Sequence, residues 1–287
     1  MKRVIALGFF DGVHLGHGAL LQKARQEADR LGCTAAALTF DRHPAEVIFG
    51  RKTPLINTLD EREQIMKNQY HMDEVLVLPF DDAMMRMPWD QFVSKVLQQR
   101  FQAQAVVCGH DFTFGHAGQG TPEKLKEVFG ENCRVIEPVI IDGITVSSTA
   151  IRTLLQQGKP EQAAALLGHD HFLTGTVVHG KQLGRTLGIP TANLLLPESV
   201  IAPTYGVYAA KVNGIAAVTN VGIRPTVDDG EAITVESWLL DHEEDLYGKT
   251  ICVELAAFIR PEQKFSSVEE LKNQILRDAQ KVKALLK

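Results

Sequence analysis

The sequence predicts an α/β domain with a parallel sheet, followed by a small antiparallel β-barrel and a C-terminal helix. Three observations carry this expectation. Short apolar strands alternate with amphipathic helices up to Gly168, the pattern of a parallel sheet covered on both faces. Beyond Gly168 strands dominate, and Asn213-Gly214 between two of them is a strong hairpin signal, because both residues tolerate positive φ. The chain has 287 residues, more than the roughly 250 that one hydrophobic core usually serves. Two domains follow, 1–168 and 169–287.

Strands are expected over 4–9, 34–40, 74–78, 105–108 and 134–139. Between the first two, Leu20, Leu21, Ala24, Ala28 and Leu31 form one apolar helical stripe, which Gly32 ends. Further helices are expected to begin near Asp60 and near Pro88-Trp89. Two short helices, 149–157 and 160–167, lead to Gly168. The later strands are expected over 175–178, 206–212, 215–221, 233–240 and 251–258. Ile251, Val253 and Leu255 alternate as in a strand with one buried face. Ser267 and Glu270 have capping-box spacing at the start of a last helix.

Composition removes several function classes. Net charge is -5. The first 168 residues hold 18 Lys and Arg against 20 Asp and Glu, and the remainder 12 against 15. Neither half is a basic platform, so no nucleic-acid partner is expected. No apolar run nears the roughly 20 residues of a membrane span. Met1-Lys2-Arg3 and the apolar residues after it resemble a signal peptide only until Asp11. Cys33, Cys108, Cys133 and Cys252 form no CxxC pair, which fits reduced thiols and a cytoplasmic location.

Polar chemistry gathers where the first strand turns into the first helix. Gly8 and Phe9 lead through Asp11 to His14-Leu15-Gly16-His17. A metal site would need a third ligand, and none is near in sequence. Two structural histidines are a second reading. A phosphate site is the third, with Gly16 admitting an anion to a helix N-terminus and two imidazoles as donors. Farther on, Ser147-Ser148-Thr149 precedes a helical stretch carrying Arg152. These residues suit either a plain helix cap with a solvated Arg or an anion clamp. Phe112 and Phe114, in a glycine-rich loop, give a face for core packing or for a flat heterocycle.

Four segments in register, Gly8–His17, Thr39–Pro44, Gly109–Gly115 and Val146–Arg152, resemble the bacterial FAD synthetases, bifunctional riboflavin kinase/FMN adenylyltransferases. The resemblance implies a Rossmann-like nucleotidyltransferase domain in which an FMN phosphate oxygen attacks the α-phosphorus of ATP. It places His14 and His17 at the α/β phosphates as catalytic groups, with Gly8, Phe9, Asp11 and Gly16 around them. His43, Ser148, Thr149 and Arg152 would hold the leaving pyrophosphate, and Asp111 and Phe112 the flavin. Two positions depart from the family: Ala150, where Arg is usual, and Gly18, where Gln is frequent. Loss of a cation at 150 implies weaker ATP binding by roughly 1.5–3 kcal/mol, with Arg42 as a candidate substitute.

The second half holds the densest signal. Gly180, Gly184 and Gly188 recur every four residues and run into Pro190-Thr191-Ala192-Asn193. The spacing fits no Walker motif. Thr191 and Asn193 offer neutral oxygens on one face of an extended segment, which suits Mg²⁺ beside phosphates. A glycine-rich barrel loop with buried Thr and Asn is the alternative. The segment resembles the GxPTAN motif of riboflavin kinases, and Asn220–Thr226 and Val235–Asp241 resemble two further segments of that family. The resemblance implies a riboflavin-kinase barrel in which Gly180, Gly184, Arg185, Gly188 and Pro190 bind ATP and Thr191 and Asn193 hold Mg²⁺. Glu236 would be the general base on the ribityl hydroxyl; otherwise it is an outward-facing strand residue. Arg260 would face the isoalloxazine ring or pair with Glu262. ATP, riboflavin and FMN are the implied partners, with no protein partner. The alternative function is a riboflavin kinase with an impaired adenylyltransferase domain.

Overall fold

The computed structural model describes residues 1–179, 188–225, 231–242 and 244–286. By contact the chain divides into two compact units, Met1–Ser148 and Thr149–Lys287. The two short helices before Gly168 therefore count with the second unit, apart from Ser148.

The first unit runs β1 (Arg3–Leu7), α1 (Leu15–Leu31), β2 (Thr34–Phe40), α2 (Pro44–Phe49), α3 (Leu59–Asn68) and β3 (Glu74–Leu78). After α4 (Asp82–Met85) and α5 (Trp89–Gln91), which continues as a π-helix over Phe92–Arg100, come β4 (Ala103–Gly109), α6 (Pro122–Phe129) and β5 (Cys133–Ile136). A small hairpin, β6 (Ile140–Ile141) and β7 (Ile144–Thr145), precedes the border. The five long strands are all parallel, in the order β3-β2-β1-β4-β5. Strand order reverses at β1, so the crevice beyond its carboxyl end is where such a sheet binds ligands. Strand β1 ends at Leu7, before the expected residue 9, because Phe10 and Val13 take left-handed φ values of 60° and 39° to turn the chain into α1. Strand β5 stops at Ile136, two residues before Pro138, which has no N–H for the ladder.

The second unit contains α7 (Ser148–Gln156) from Thr149 on, α8 (Pro160–Leu167), β8 (His171–Thr176), β9 (Ala192–Leu195), β10 (Gly206–Val212), β11 (Ile215–Pro225), β12 (Glu231–Leu239), β13 (Thr250–Pro261) and α9 (Val268–Leu285). Its sheet is antiparallel, in the order β8-β13-β10-β11-β12-β9. A bridge from Val178 to Asn193 brings the ends of the sheet together, so the barrel is nearly closed. The hairpin at Asn213-Gly214 has both φ values positive, 48° and 85°, as its residue types require. Tyr208, Val221, Val235, Val253 and Leu255 fill the barrel, while Val207, Val218 and Leu240 on the outer face pack against Ala279 and Val282 of α9. The Ser267 hydroxyl caps α9 by accepting from the Glu270 amide at 3.1 Å. Glu270 returns to the amide and hydroxyl of Ser266, one residue earlier than the expected box. All four cysteines are free thiols. No helix among the described residues is long and apolar enough to cross a membrane.

Gly18 is explained by close approach: a Cβ there would fall on the Tyr70 hydroxyl, and Tyr70 is buried. Gly18→Ala is expected to cost about 1–3 kcal/mol by overpacking, measured by urea unfolding of the first unit through Trp89 fluorescence in a Trp238→Phe background. Tyr70→Phe in the same chain should recover part of the loss.

His171 opens β8 with no exposed surface and, among the described residues, no hydrogen-bond partner for either ring nitrogen. Burial, and then the neighbouring His169, lower its pKa to about 3. Unfolding raises that pKa, so the unfolded chain binds the proton first and stability is complete only above the ordinary value near 6.5. It declines as pH falls from there toward 3. His171→Leu should flatten this decline, followed as urea midpoints between pH 6.5 and 4 through Trp238 in a Trp89→Phe background.

Candidate active sites in the two units

In the first unit the site begins with two histidines that cap helices. His14 is the N-cap of α1, and its Nδ1 accepts the His17 amide at 3.2 Å. His43 is the N-cap of α2, and its Nδ1 accepts the Ala45 amide at 3.1 Å. An imidazole whose Nδ1 accepts carries its proton on Nε2. Capping thus makes both residues N–H donors at helix N-termini, the arrangement that favours an anion. His14 and His17 stack with centroids 3.6 Å apart, and Phe10 meets His17 edge-on. Burial first, then His14 and Arg62, hold the His17 pKa well below its ordinary value, so it is neutral at pH 7. Gly16 keeps this stack in place: a Cβ there would press on the His14 ring at 3.2 Å.

The other expected phosphate-site residues divide by position. The buried Asp11 carboxylate accepts the amides of Ile56 and Asn57, at 2.8 and 3.4 Å, and so braces the loop before α3. The Ser148 hydroxyl donates to the Asp11 carbonyl at 2.9 Å. The Phe9 ring lies edge-on to His43 at 4.7 Å. Thr149 is exposed and Arg152 half-buried, and both belong to the second unit. Arg42 is well exposed, 3.8 Å from Asp41.

A cavity of about 540 Å³ adjoins this turn through Gly8 and Pro44. Its walls are apolar and aromatic, with Phe40, Phe80, Phe92, Phe112 and Phe114 joined by Met84, Met85 and Met87. A planar heterocycle suits such walls. Phe112 stacks on Phe114 at 5.6 Å, so the two phenylalanines pack together and line the cavity at once. Asp111 is not in the lining; its side chain is 82% exposed, near His110. The methionines of 84–87 had no periodic signal in the sequence to set them apart from ordinary core.

In the second unit the site is a row across the sheet. Antiparallel register places Asn193 opposite Glu236, Glu236 opposite Asn220, Asn220 opposite Val207 and Val207 opposite Arg260. Directly paired residues point to the same face. The alternate residues Val235, Val221 and Tyr208 fill the barrel, so the row lies on the outer face. Glu236 does face outward, and the outward face carries the pocket. That pocket holds about 390 Å³ and is lined by Thr191, Asn220, Glu236, Trp238 and Arg260, with Phe265 and Ile275 from the C-terminal segment.

The Asn193 amide nitrogen donates to the Thr191 carbonyl at 3.1 Å and to its hydroxyl at 3.4 Å. The amide nitrogen is thus the atom of Asn193 that faces Thr191. Arg260 pairs not with Glu262 but with Asp278, at 2.8 Å, and Asp278 lies wholly buried on the inner side of α9. Glu262 instead accepts from Asn220 at 3.1 Å. Gly188 and Pro190 precede this row, both exposed. Gly180, Gly184 and Arg185 lie outside the described residues, as does Thr226. Sequence reasoning missed Trp238 and Asp278, named Glu262 only as a partner for Arg260, and met Asn220 only inside a motif. Strand register across five strands was the signal that singles Asn220 out.

Comparisons with known proteins cover both units. A family model described as FAD synthetase matches residues 1–150, and one described as riboflavin kinase matches 167–286. Bifunctional riboflavin kinase/FMN adenylyltransferases of Bacillus subtilis and Escherichia coli are 38% and 37% identical to this chain. These likenesses cover 97% and 96% of it and 91% and 90% of the relatives. A crystal structure from Streptococcus pneumoniae, described as a macrolide-efflux protein, superposes with a TM-score of 0.88 at 31% identity, over 98% of this chain and 94% of that one. With both models matched in order and relatives alike over nearly the full length, the chain belongs to the bifunctional riboflavin kinase/FMN adenylyltransferase family.

Proposed function

We propose that residues 169–287 phosphorylate riboflavin to FMN with ATP and that residues 1–168 adenylylate FMN to FAD with release of pyrophosphate. The observation that carries this reading is two separate pockets, each joining an aromatic wall to phosphate-directed groups. Matches to both family models speak against a kinase with a disabled partner domain. The enzyme works in the cytoplasm on ATP, riboflavin and FMN.

In the kinase pocket Glu236 accepts the proton of the ribityl 5′-hydroxyl as its oxygen attacks the γ-phosphorus, and ADP leaves. Thr191 and Asn193 supply hard, neutral oxygens. Among the described residues no cluster of His, Cys, Asp and Glu could hold a metal alone. A divalent cation at Thr191 and Asn193 would therefore share phosphate oxygens, as Mg²⁺ does, and would neutralise charge on the transferring group. Arg260, fixed by Asp278, and Phe265 border the flavin.

In the adenylyltransferase pocket a phosphate oxygen of FMN attacks the α-phosphorus of ATP, and the bond to pyrophosphate breaks. No covalent enzyme intermediate is required. His14 and His17 donate to the α/β phosphates and His43 to the departing pyrophosphate, with Ser148 closing the turn beneath them. Positioning and charge stabilisation supply the rate. The aromatic and methionine walls hold the isoalloxazine ring, with Phe112 among them.

Purified protein given riboflavin, ATP and Mg²⁺ should yield FMN and then FAD, separated by chromatography; failure to form FMN would remove the kinase assignment. His17→Ala should abolish FAD formation from supplied FMN while riboflavin phosphorylation continues, and Asn193→Ala should do the reverse. Loss of both activities in either folded variant would contradict separate sites. Glu236→Gln should lower the kinase kcat by about 10²–10⁴-fold and leave adenylylation at its original rate.

A further inference from the structure

Arg62, on α3, is the largest side chain among the described residues with no exposed surface. Its guanidinium sits under the carboxyl ends of β1 and β2. Nη1 donates to the Phe9 carbonyl at 2.5 Å and to the Thr39 hydroxyl at 3.0 Å, and Nη2 donates to the Phe40 carbonyl at 3.3 Å. Thr39 itself donates to the Phe9 carbonyl at 2.8 Å. The guanidinium also lies over the Phe9 ring, 4.4 Å from its centroid. Both ends of Phe9 are thereby held, and its ring is the edge that meets His43.

A buried cation is costly to place. Desolvation lowers the Arg62 pKa, while Asp11 and Glu63 oppose the change. Its direct acceptors above are two carbonyls and a hydroxyl, so it neutralises no carboxylate through them. A residue needed only to fill space at this point could be apolar. A cation that gathers two strand ends, one aromatic ring and the approach to two phosphate-directed histidines does more.

We propose that Arg62 is a positioning residue of adenylyl transfer: it clamps the carboxyl ends of β1 and β2 so that His14, His17 and His43 stay aimed at one triphosphate. The inference rests on the site assignment above and adds a residue that never touches substrate. Loss of the clamp frees Phe9, shifts His43 and loosens the left-handed turn at Phe10. The flavin pocket takes Gly8, Leu38 and Phe40 from the clamped strand ends, but most of its wall, from Phe80 to Met87, Phe92 and Phe112 to Gly118, lies on segments that Arg62 does not bond to and keeps its shape in the ground state. The defect therefore falls on kcat rather than on KM for FMN.

The test uses the full chain with Arg62→Met, Arg62→Lys and Thr39→Val. Wild type must first form FAD and His17→Ala must not; if either fails, the site assignment falls and the Arg62 proposal with it. With those controls met, Arg62→Met should lower the adenylylation kcat by about 100-fold, with KM for FMN within about twofold and riboflavin phosphorylation unchanged. Arg62→Lys, which keeps the charge but loses the fork, should recover at least about tenfold of that loss. Thr39→Val, which removes one acceptor and leaves Arg62, should lower kcat by about 3–10-fold. If Arg62→Met fails to fold, the Lys and Val variants decide. A folded Arg62→Met chain with normal kcat overturns the proposal, as does a defect confined to KM for FMN. So does an Arg62→Lys chain no better than Arg62→Met, or a Thr39→Val chain with unaltered adenylylation.

Discussion

Strand β1 is hydrogen-bonded along both edges, to β2 on one side and β4 on the other. Its backbone is used up by the ladder until Leu7, and the chain must then rise over the sheet and reverse into α1. Three successive compromises make that turn, with φ of 60° at Phe10, 80° at Gly12 and 39° at Val13. Left-handed conformations at non-glycine residues cost of order 1 kcal/mol or more and need surroundings that hold them. Here those surroundings are the Asp11 carboxylate on the loop before α3, the Ser148 hydroxyl on the Asp11 carbonyl, and Arg62 on the carbonyl of Phe9. His14 and His17, proposed above to face phosphate, sit at the end of this braced segment, so the first site depends on it.

The second unit reaches a similar result by register instead of strain. A sheet whose pairing slipped by one residue would turn Glu236 into the barrel and Val235 out. The buried set Tyr208, Val221 and Val235 resists that slip, because each would have to leave the core together. Hydrophobic burial on one face thus aims the polar row on the other. The C-terminal helix then roofs the row, and the Arg260–Asp278 pair beneath it joins helix to strand where water is excluded. A pair so placed is costly to break from one side, and it keeps the guanidinium at the border of the pocket.

Electrostatics in the two sites differ accordingly. In the first, His14 and His43 are oriented by backbone amides, His17 is kept neutral by burial, and one buried guanidinium lies behind them. In the second, a carboxylate stands between two side-chain amides, with cationic charge held at the far end of the row. In the roles proposed above, the first arrangement stabilises charge on a phosphate without surrendering a proton and the second takes one away. That division would suit the two reactions, since a phosphate nucleophile needs no base and a ribityl hydroxyl does.

Much of this was legible from residue order. Alternating strands and helices specified the parallel sheet, Asn213-Gly214 specified a hairpin, and His14-Leu15-Gly16-His17 and Pro190-Thr191-Ala192-Asn193 marked the two polar turns, because each depends on neighbours a few positions apart. Features that depend on distant contacts were misplaced: β8 starts at the buried His171, and Arg260 meets Asp278 on α9 instead of the adjacent Glu262. Asp11 reads as a phosphate-site residue in a motif, yet its carboxylate is committed to amides 45 and 46 positions away. Arg62 looked like any charged residue on a helix. Only the folded sheet brings Phe9, Thr39 and Phe40 around it, since hydrogen-bond partners from three separate segments leave no periodic trace in the chain.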